Sequence, residues 1–321
     1  MTPTGEAEMT TEPSRPGLAL DHEHDRSLRV HHGGVELFRY VYRTWDPQVE
    51  SPRPYFHPVR TLGGDIVTDH RPHDHVWHKG ISWSLPVVGA ANFWGGGTYV
   101  HGTGYAQLAN NGGMWHREFS RIQASPDRIV VSHALDWVTE PGDRCVAEHR
   151  TFAVTLDDAY GAWTLVFESA MTNVGAEPIE IGSPTTRGRP AAGYGGLFWR
   201  GPRSFTGGLV HAPGRAGGDD LMGTRQPWLA FTGRHDGHGR TSTLVFVDSP
   251  DNPGHPTEWF VRSTQFPGVC PAPFFSAEVA LPPGETLRLR YAVTVADGER
   301  GPDDLAALVS AGLDAMKEVH R

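Results

Sequence analysis

The segment TLRLRYAVTV, residues 286–295, decides the fold class that the sequence predicts. Leucine, tyrosine and valine at every odd position from 287 to 295 alternate with threonine, arginine and alanine at the even positions. An alternation with a period of two places the large apolar side chains on one side of an extended strand. The segment therefore predicts a β-strand with one face buried.

The same alternation recurs in weaker form along the chain, between turn sequences rich in Pro, Gly and Asp. It covers residues 39–42, 129–137, 146–156, 163–168, 244–248 and 275–281. The chain also holds 39 Gly and 26 Pro, a content that favours frequent turns over long helices. Many short strands joined by polar turns predict an all-β protein, built as one large antiparallel β-sandwich.

The two ends of the chain differ from this pattern. Residues 1–26 are acidic and lack an apolar period, which predicts a disordered tail outside the fold. Residues 27–321 are then expected to form a single β-sandwich domain. Near its end, Pro302 and two acids precede apolar residues at helical spacing, which predicts one C-terminal helix over about residues 302–319.

Charge and hydropathy exclude several classes of function. The net charge is −9 and no basic stripe is present, so the sequence argues against nucleic-acid binding. No run of about 18 apolar residues is present, so a membrane span is not expected. Residues 1–30 lack the pattern of a secretory signal, which predicts a cytoplasmic protein. The sequence leaves the oligomeric state open.

Residues 57–78 concentrate the chemistry, with five histidines and three aspartates within 22 residues. If residues 73–75 are extended, the rings at positions 73 and 75 point to one side, and those at 70 and 78 could close on the same point. Such a set could bind a divalent metal such as Zn, Mn or Fe. The candidate metal ligands are His70, His73, His75 and His78.

The same cluster could instead act without a metal. Histidine exchanges protons near neutral pH, so His75 and His78 are candidates for a base and an acid. Lys79 lies beside them and is one of only two lysines in a chain with 26 arginines, which suggests a need for an ammonium group. Lys79 or Arg200 could stabilise negative charge on a reacting oxygen. His255 is a further acid–base candidate.

Aromatic and polar residues around this cluster suit a carbohydrate ligand. Trp77 and Trp94 offer flat apolar faces, and the glycines at 95–97 allow close approach of the backbone. Sugars stack their C–H faces on such rings, while their hydroxyl groups bind imidazole, amide, carboxylate and guanidinium groups. The candidate substrate-binding residues are Trp77, Trp94, Asn92, Tyr194, Arg200 and Glu258.

Residues 54–58, 74–80, 92–94, 194–197 and 252–256 together give the chain a family resemblance. In their order and spacing the chain resembles the methane oxygenase PmoA-like family of bacterial proteins. The resemblance implies a fold similar to the mutarotase-like supersandwich and an association with sugar catabolism. It also points to a set of functional residues: His57, His75, His78, His255 and Tyr194.

The leading prediction is a carbohydrate-processing enzyme that uses acid–base catalysis, with possible help from a metal. The reaction would be epimerisation, elimination or hydrolysis of a sugar or keto-sugar, and the partner is a small carbohydrate. The predicted catalytic residues are His75, His78, Lys79, His57 and His255. The alternatives are a sugar-binding module without catalysis and a metal-dependent oxygenase, as the family name suggests. No cofactor other than this metal is expected.

Overall fold

The computed structural model describes residues 16–319, and 22 strands and one α-helix lie within that range. The first strands are β1 Leu18–Glu23, β2 Ser27–His32, β3 Val35–Val41, β4 Tyr55–Val59, β5 Ile81–Ser84, β6 Val87–Val88, β7 Thr98–Val100, β8 Gly104–Ala106, β9 Gly113–Ala124, β10 Arg128–Val138 and β11 Arg144–Asp157. The others are β12 Ala162–Asn173, β13 Ile179–Gly182, β14 Gly196–Arg200, β15 Leu209–Ala212, β16 Arg215–Gly217, β17 Trp228–Arg234, β18 Thr241–Asp248, β19 Trp259–Arg262, β20 Gly268–Pro271, β21 Val279–Leu281 and β22 Thr286–Asp297. The helix is α1 Pro302–Glu318.

Two large antiparallel sheets form the sandwich that the sequence predicts. One has eight strands in the order β1-β2-β3-β4-β5-β14-β20-β19, and the other has nine in the order β16-β15-β17-β18-β22-β12-β11-β10-β9. Two small sheets, β21-β13-β6 and β7-β8, lie beside them. The all-β prediction, with large antiparallel sheets and one C-terminal helix, is confirmed.

The main core lies between the two large sheets, where aromatic rings from one sheet contact those of the other. Phe38 of β3 stacks on Trp163 of β12 with ring centroids 5.6 Å apart, and Trp199 of β14 lies 5.6 Å from Phe246 of β18. Each of these rings is at most 2% exposed. Burial of such large apolar surfaces is the dominant favourable term in folding.

The strand of residues 286–295 takes the place in the sheet that its sequence predicts. It forms the middle of β22, which pairs with β12 on one side and β18 on the other. Its odd-numbered side chains from 289 to 295 face the core between the sheets. Ala292 and Ala296 face the opposite side, where α1 covers them. The strand is thus buried on both faces in its second half.

Helix α1 covers the outer face of the nine-stranded sheet, which we call the helix-covered face. Pro302 begins the helix, at a position where its missing N–H costs no hydrogen bond. Two acids in the first turn interact favourably with the positive end of the helix dipole. Leu305, Leu308 and Met316 of the helix pack on valines and alanines of the sheet. This is the only described helix of α type, and it is not long and apolar enough to cross a membrane.

Two predictions about the chain need correction. The predicted disordered tail, residues 1–26, ends too late, because Leu18–Glu23 forms β1 and pairs with Ser27–His32. Residues 1–15 lie outside the described part of the chain. The predicted strand at 275–281 is also too long, because only Val279–Leu281 is a strand and the residues before it form a turn. In both places the local pattern is weak and strand pairing decides, with the next strand for β1 and with the distant β13 for β21.

Candidate functional site

A cavity of about 330 Å³ lies on the outer face of the eight-stranded sheet, which we call the cavity face. Its walls come from β8, β14 and β19 and from loops at 75–78, 94–97, 189–194 and 265–266. The lining residues are His75, Trp77, His78, Trp94, Gly95, Gly97, Tyr105, Arg189, Tyr194, Phe198, Phe260, Arg262, Gln265 and Phe266. The cavity therefore includes part of the histidine cluster and several predicted binding residues.

The pleat of the strands explains which side chains reach the cavity. In β14, Leu197 and Trp199 belong to the core between the sheets, whereas Phe198 packs in the aromatic cluster on the cavity face. Successive side chains of a strand point to opposite faces, so Arg200 lies on the same face as Phe198. In β19 the same rule places Phe260 and Arg262 on the cavity face.

Aromatic rings form most of the apolar wall. Trp94 lies 4.5 Å from Tyr194 and 4.9 Å from Phe198, measured between ring centroids, and Phe260 lies 5.6 Å from Tyr194. Trp94 is 5% exposed and Phe198 is 1% exposed, so these rings have little freedom to move. The wall is a fixed set of flat apolar faces, and the hydroxyl group of Tyr194 lies 2.8 Å from that of Tyr105, which also lines the cavity.

Trp77 takes its position from the backbone around it. A Cβ atom on Gly96 would lie 2.8 Å from the indole ring, and one on Gly95 would lie 2.6 Å from the Cβ of Trp77. Both glycines have positive φ, at +102° for Gly95 and +68° for Gly96, which other residues rarely adopt. The buried Arg53 donates a hydrogen bond of 2.6 Å to the carbonyl of Trp77. The glycine run therefore lets the indole lie flat against the chain.

Asp74 and His75 form a hydrogen-bonded pair at the cavity. The Nδ1 of His75 lies 3.0 Å from Oδ2 of Asp74, and the carboxylate can only accept, so Nδ1 donates and Nε2 keeps its lone pair. Arg203 donates to Oδ1 of Asp74 at 2.6 Å, and Arg200 lies 3.5 Å from Oδ2. His75 is thus held in the tautomer that can accept a proton at Nε2.

The charge of Asp74 is secured by its neighbours. Burial acts to raise the pKa of this carboxyl, but the hydrogen bond from His75 and the charge of Arg200 outweigh it, and the pKa falls to about 2. Asp74 is therefore ionised at neutral pH, and a carboxylate in this position orients an imidazole and stabilises its protonated form.

His78 has a different hydrogen-bond pattern from His75. Its ring stacks on that of His75 with centroids 4.6 Å apart, and it is 3% exposed. Nη1 of Arg200 donates to Nδ1 of His78 at 3.2 Å, so the proton of the neutral ring sits on Nε2. Burial holds the pKa of His78 well below its usual range. The geometry therefore makes His78 a neutral hydrogen-bond donor, whereas the sequence suggested an acid.

Lys79 does not line the cavity. Its side chain is fully buried, and Nζ pairs with Oδ1 of Asp46 at 3.0 Å and with Oε2 of Glu50. Arg71 also binds Glu50, with 2.9 Å between Nε and Oε2. This network joins the loop at 46–50 to the segment that carries the histidines. Lys79 is placed to hold the segment in position, and Asp46 and Glu50 had no sequence signal that would have paired them with it.

His57 and His70 lie together, away from the lining residues of the cavity. The ring of His70 lies between those of Tyr55 and His57, with centroid distances of 4.8 and 5.0 Å. Thr68 shares a hydrogen bond of 2.9 Å with Nδ1 of His57. Burial lowers the pKa of His57 to about 3 and that of His70 to about 4. Both rings are neutral at pH 7.

The predicted four-histidine metal site is not formed. Within residues 16–319, no three His, Cys, Asp or Glu groups come together in a way that could hold a metal ion. His70 stacks between Tyr55 and His57, and the Nδ1 of His73 accepts from Arg203 at 3.3 Å. His78 gives its Nδ1 lone pair to Arg200. The donor atoms are thus directed at different partners, and the residues do not fit Zn, Mn or Fe.

Two other predicted residues bind neighbouring groups of the protein outside the cavity. The Nδ1 of His255 lies 2.8 Å from Oδ2 of the buried Asp248, which also accepts from the backbone N–H of Thr257. Glu258 accepts from Ser276 at 2.7 Å and from Arg225 at 3.4 Å. Neither His255 nor Glu258 lines the cavity.

Asn92 supports the cavity wall through hydrogen bonds to the backbone. Its Oδ1 accepts from the backbone N–H groups of Trp94 and Gly95 at 2.8 and 3.0 Å, and its side chain is buried. Asn92 therefore fixes the turn that presents Trp94, without lining the cavity itself. Arg200 acts in a similar way, because it binds His78 and Asp74 and lies 4.2 Å above the ring of Phe266.

Several lining residues carried no sequence prediction. These are Tyr105, Arg189, Phe198, Phe260, Arg262, Gln265 and Phe266. Arg203, which binds Asp74 without lining the cavity, also carried no prediction. The strand alternation of residues 259–262 could have placed Phe260 and Arg262 on one face. Nothing local to the sequence indicates that residues 105 and 189 meet them.

Comparison with known proteins gives a family and distant likenesses of fold. Residues 27–310 match the model of a family of unknown function, DUF6807. No curated protein matches. The resemblance to PmoA-like proteins stays a prediction.

Three solved structures illustrate the likeness. The galactosidase domain of an alpha-galactosidase-sucrose kinase is 10% identical over 87% of this chain and 42% of that one, with a TM-score of 0.41. Galactose 1-epimerase from Lactobacillus acidophilus NCFM is 10% identical over 89% and 99%, with a TM-score of 0.38. A polysaccharide lyase is 12% identical over 92% and 34%, with a TM-score of 0.33. The chain thus spans less than half of the first and third of these proteins.

Proposed function

We propose that this chain, which belongs to the DUF6807 family of unknown function, is a carbohydrate-processing enzyme in which His75 removes a proton from a bound sugar. The observation that carries the proposal is the Asp74–His75 pair beside an aromatic cavity. Oδ2 of Asp74 and Nδ1 of His75 are 3.0 Å apart, and two arginines hold the carboxylate in its charged form. The pair leaves Nε2 of His75 as the proton acceptor.

The cavity suits a small carbohydrate in size and in chemistry. Its volume of about 330 Å³ lies at the lower end of the range for ligand sites, which is about 300–1,000 Å³. Trp77, Trp94 and Phe266 provide faces for the C–H groups of a sugar ring. The Nε2–H of His78 and the hydroxyl of Tyr194 provide polar contacts for its hydroxyl groups.

The hydrogen bonds of the two histidines favour particular reactions. Hydrolysis of a glycoside needs an acid that protonates the leaving oxygen, and His78 is neutral, with Arg200 donating to its Nδ1. Epimerisation and elimination need only a base in their first step. There a C–H bond next to a carbonyl breaks, the proton goes to Nε2 of His75, and the electron pair moves onto the carbonyl oxygen. We therefore favour epimerisation or elimination of a keto-sugar or a related sugar.

The test is exchange of carbon-bound hydrogen in D₂O, followed by proton NMR on a panel of sugars and keto-sugars. A substrate should lose a C–H signal or give new signals with the full-length protein. His75→Ala should reduce the rate by about 10²–10⁴-fold, the usual contribution of a general base. His149→Ala, a change at an exposed histidine on β11 outside the cavity, is the matched control and should keep the wild-type rate.

The outcomes separate the enzyme from its alternative. Exchange that continues at the wild-type rate in His75→Ala would overturn the proposed role of His75. Binding of a sugar with no exchange and no new product would indicate a sugar-binding module instead.

A further inference from the structure

We infer that the sugar bound in the cavity carries an anionic group, which Arg189 and Arg262 bind. This inference rests on the proposed function and adds a class of ligand to it. The observation behind it is an excess of positive charge in the cavity wall. Arg189 and Arg262 both line the cavity, and no Asp or Glu is among the described lining residues.

The two arginines are oriented by neutral groups. Nη1 of Arg189 donates to the hydroxyl of Tyr105, and its guanidinium carbon lies 4.8 Å from the centre of that ring. Arg262 donates to the carbonyl of Ala191 at 3.3 Å and lies 5.2 Å from the ring centre of Phe260. Among residues 16–319, neither arginine forms an ion pair with a carboxylate. Each guanidinium therefore keeps several N–H donors that no acid occupies.

The two nearby carboxylates, Asp74 and Asp219, form their ion pairs or hydrogen bonds with other groups. Asp74 pairs with Arg200 and Arg203, on the histidine side of the cavity. Asp219, the acid whose charge acts on Arg262, accepts instead from the backbone N–H groups of Ser263 and Thr264, at 2.6 and 3.3 Å. Neither acid forms an ion pair with Arg189 or Arg262, and Asp219 acts on Arg262 only through its charge.

The two guanidiniums also influence each other. Burial is the main cause that lowers the pKa of Arg262; Asp219 opposes it, and the positive charge of Arg189 lowers the pKa further. Two like charges that share a partly enclosed space repel each other, and an anion between them would relieve that repulsion. The planar fork of an arginine matches a carboxylate or a phosphate group better than it matches a neutral hydroxyl.

A carboxylate would also fit the proposed chemistry. When a base removes a proton from a carbon next to a carboxylate, the electron pair spreads onto the carboxylate oxygens. Bound guanidinium groups would stabilise this developing charge. A uronic acid is therefore the first ligand to test, and a sugar phosphate, which shares the anionic chemistry, is the second.

The experiment compares matched neutral and anionic sugars by isothermal calorimetry with the full-length protein. The pairs are glucose with glucuronate, galactose with galacturonate, and glucose with glucose 6-phosphate. The variants are Arg189→Gln and Arg262→Gln. Arg117→Gln, at an exposed arginine of β9 outside the cavity, is the control. Thermal melts show whether each variant is folded.

We expect at least one anionic sugar to bind more tightly than its neutral partner. Each cavity variant should weaken that binding by about 10- to 100-fold, as expected for loss of hydrogen bonds to a charged group. Binding of the neutral sugar should change less than twofold, and the control should match the wild type. Preference for the uronates or for the phosphate identifies which anionic group the arginines accept.

Other outcomes count against different claims. Equal binding of neutral and anionic sugars, unchanged in both variants, would overturn the anionic ligand and leave the proposed carbohydrate site intact. Failure of every sugar in the panel to bind would contradict the proposed function itself.

Discussion

The outer faces of the two large sheets are covered in opposite ways. On the helix-covered face, one regular helix lies on a surface of valines and alanines. On the cavity face, the loop at 69–80 and the segment 91–111, which includes β7 and β8, lie beside aromatic and charged residues of the sheet. Both faces exclude water from a sheet, and the candidate site lies on only one of them.

The size of the side chains explains the difference. Small aliphatic residues let α1 approach closely, so that a Cβ atom on Gly312 would lie 3.2 Å from Val247 and 3.3 Å from Ala292. On the cavity face, large rings of the loops meet large rings of the sheet, as Trp94 meets Phe198, and the cavity lies among them. Polar groups in those loops find partners among one another, which fixes the cavity wall. The helix-covered face is therefore expected to serve stability, and the cavity face to serve binding.

Acid should have the largest effect, and on the cavity face it should act through two half-buried histidines. His57 and His70 have folded-state pKa values of about 3 and 4, below the usual 6.5, mainly because they are buried. The unfolded chain then binds more protons between pH 4 and 6.5. The stabilisation that depends on these neutral histidines is fully present above pH 6.5. As the pH drops through this window, the free energy of unfolding falls by about 1.4 kcal/mol per pH unit for each histidine.

Urea unfolding between pH 4 and 7.5 measures this effect. His70→Phe keeps a ring in the stack and removes one titrating group, so its free energy of unfolding should depend less steeply on pH, by about 1.4 kcal/mol per unit. A slope equal to that of the wild type would show that His70 does not titrate as described.

Leu308→Ala tests the helix-covered face. Leu308 is fully buried against the sheet, and its truncation should lower the free energy of unfolding by about 3 kcal/mol through lost burial and a cavity. Ser310→Ala on the exposed side of α1 should change it by less than about 0.5 kcal/mol. Urea unfolding measures both. A loss of sugar binding in folded Leu308→Ala would contradict the separation of the two faces.

Asp74→Asn tests the positioning of His75. Without the charged carboxylate, the tautomer and orientation of His75 are less well fixed, and the exchange rate should fall by about 10- to 100-fold. The Kd of the sugar should stay within about twofold, because Asp74 is not among the residues that line the cavity. Asp127→Asn in an exposed turn is the control. An equal loss of rate and affinity would indicate a structural role for Asp74.

Trp77→Ala should give the smallest of these effects. Trp77 is half-buried and forms one wall of the cavity, so its loss should weaken sugar binding by about tenfold with little loss of stability. Trp115→Ala, at a tryptophan that is 40% exposed on β9, is the matched control. Calorimetry with the same sugar compares them, and equal binding in both variants would remove Trp77 from the site.

The sequence predicts many of the residue types in the candidate site, but not which of these residues lie together in space. The sequence predicts acid–base or metal chemistry for the histidine cluster and sugar binding for Trp77, Trp94 and Tyr194. The structure brings His75, His78 and these three rings to one cavity. Lys79, His255 and Glu258, predicted from residue type, and His57, implied by the family resemblance, do not line the cavity, and each has its own partner. Residue type alone does not show whether a polar group faces a ligand or a neighbour in the protein.

The sequence by itself determined the β-sandwich and the C-terminal helix, because periods of 2 and 3.6 residues are local properties that specify which side of an element is buried. Only the tertiary structure decided the chemistry of the site. Arg200 and Arg203 reach Asp74 across more than 120 residues and hold its charge, and Asp74 in turn orients His75. Arg200 also donates to Nδ1 of His78, which gives that ring the opposite tautomer. Hydrogen bonds and charges act over a few ångströms in space, so their pattern depends on how distant strands pair.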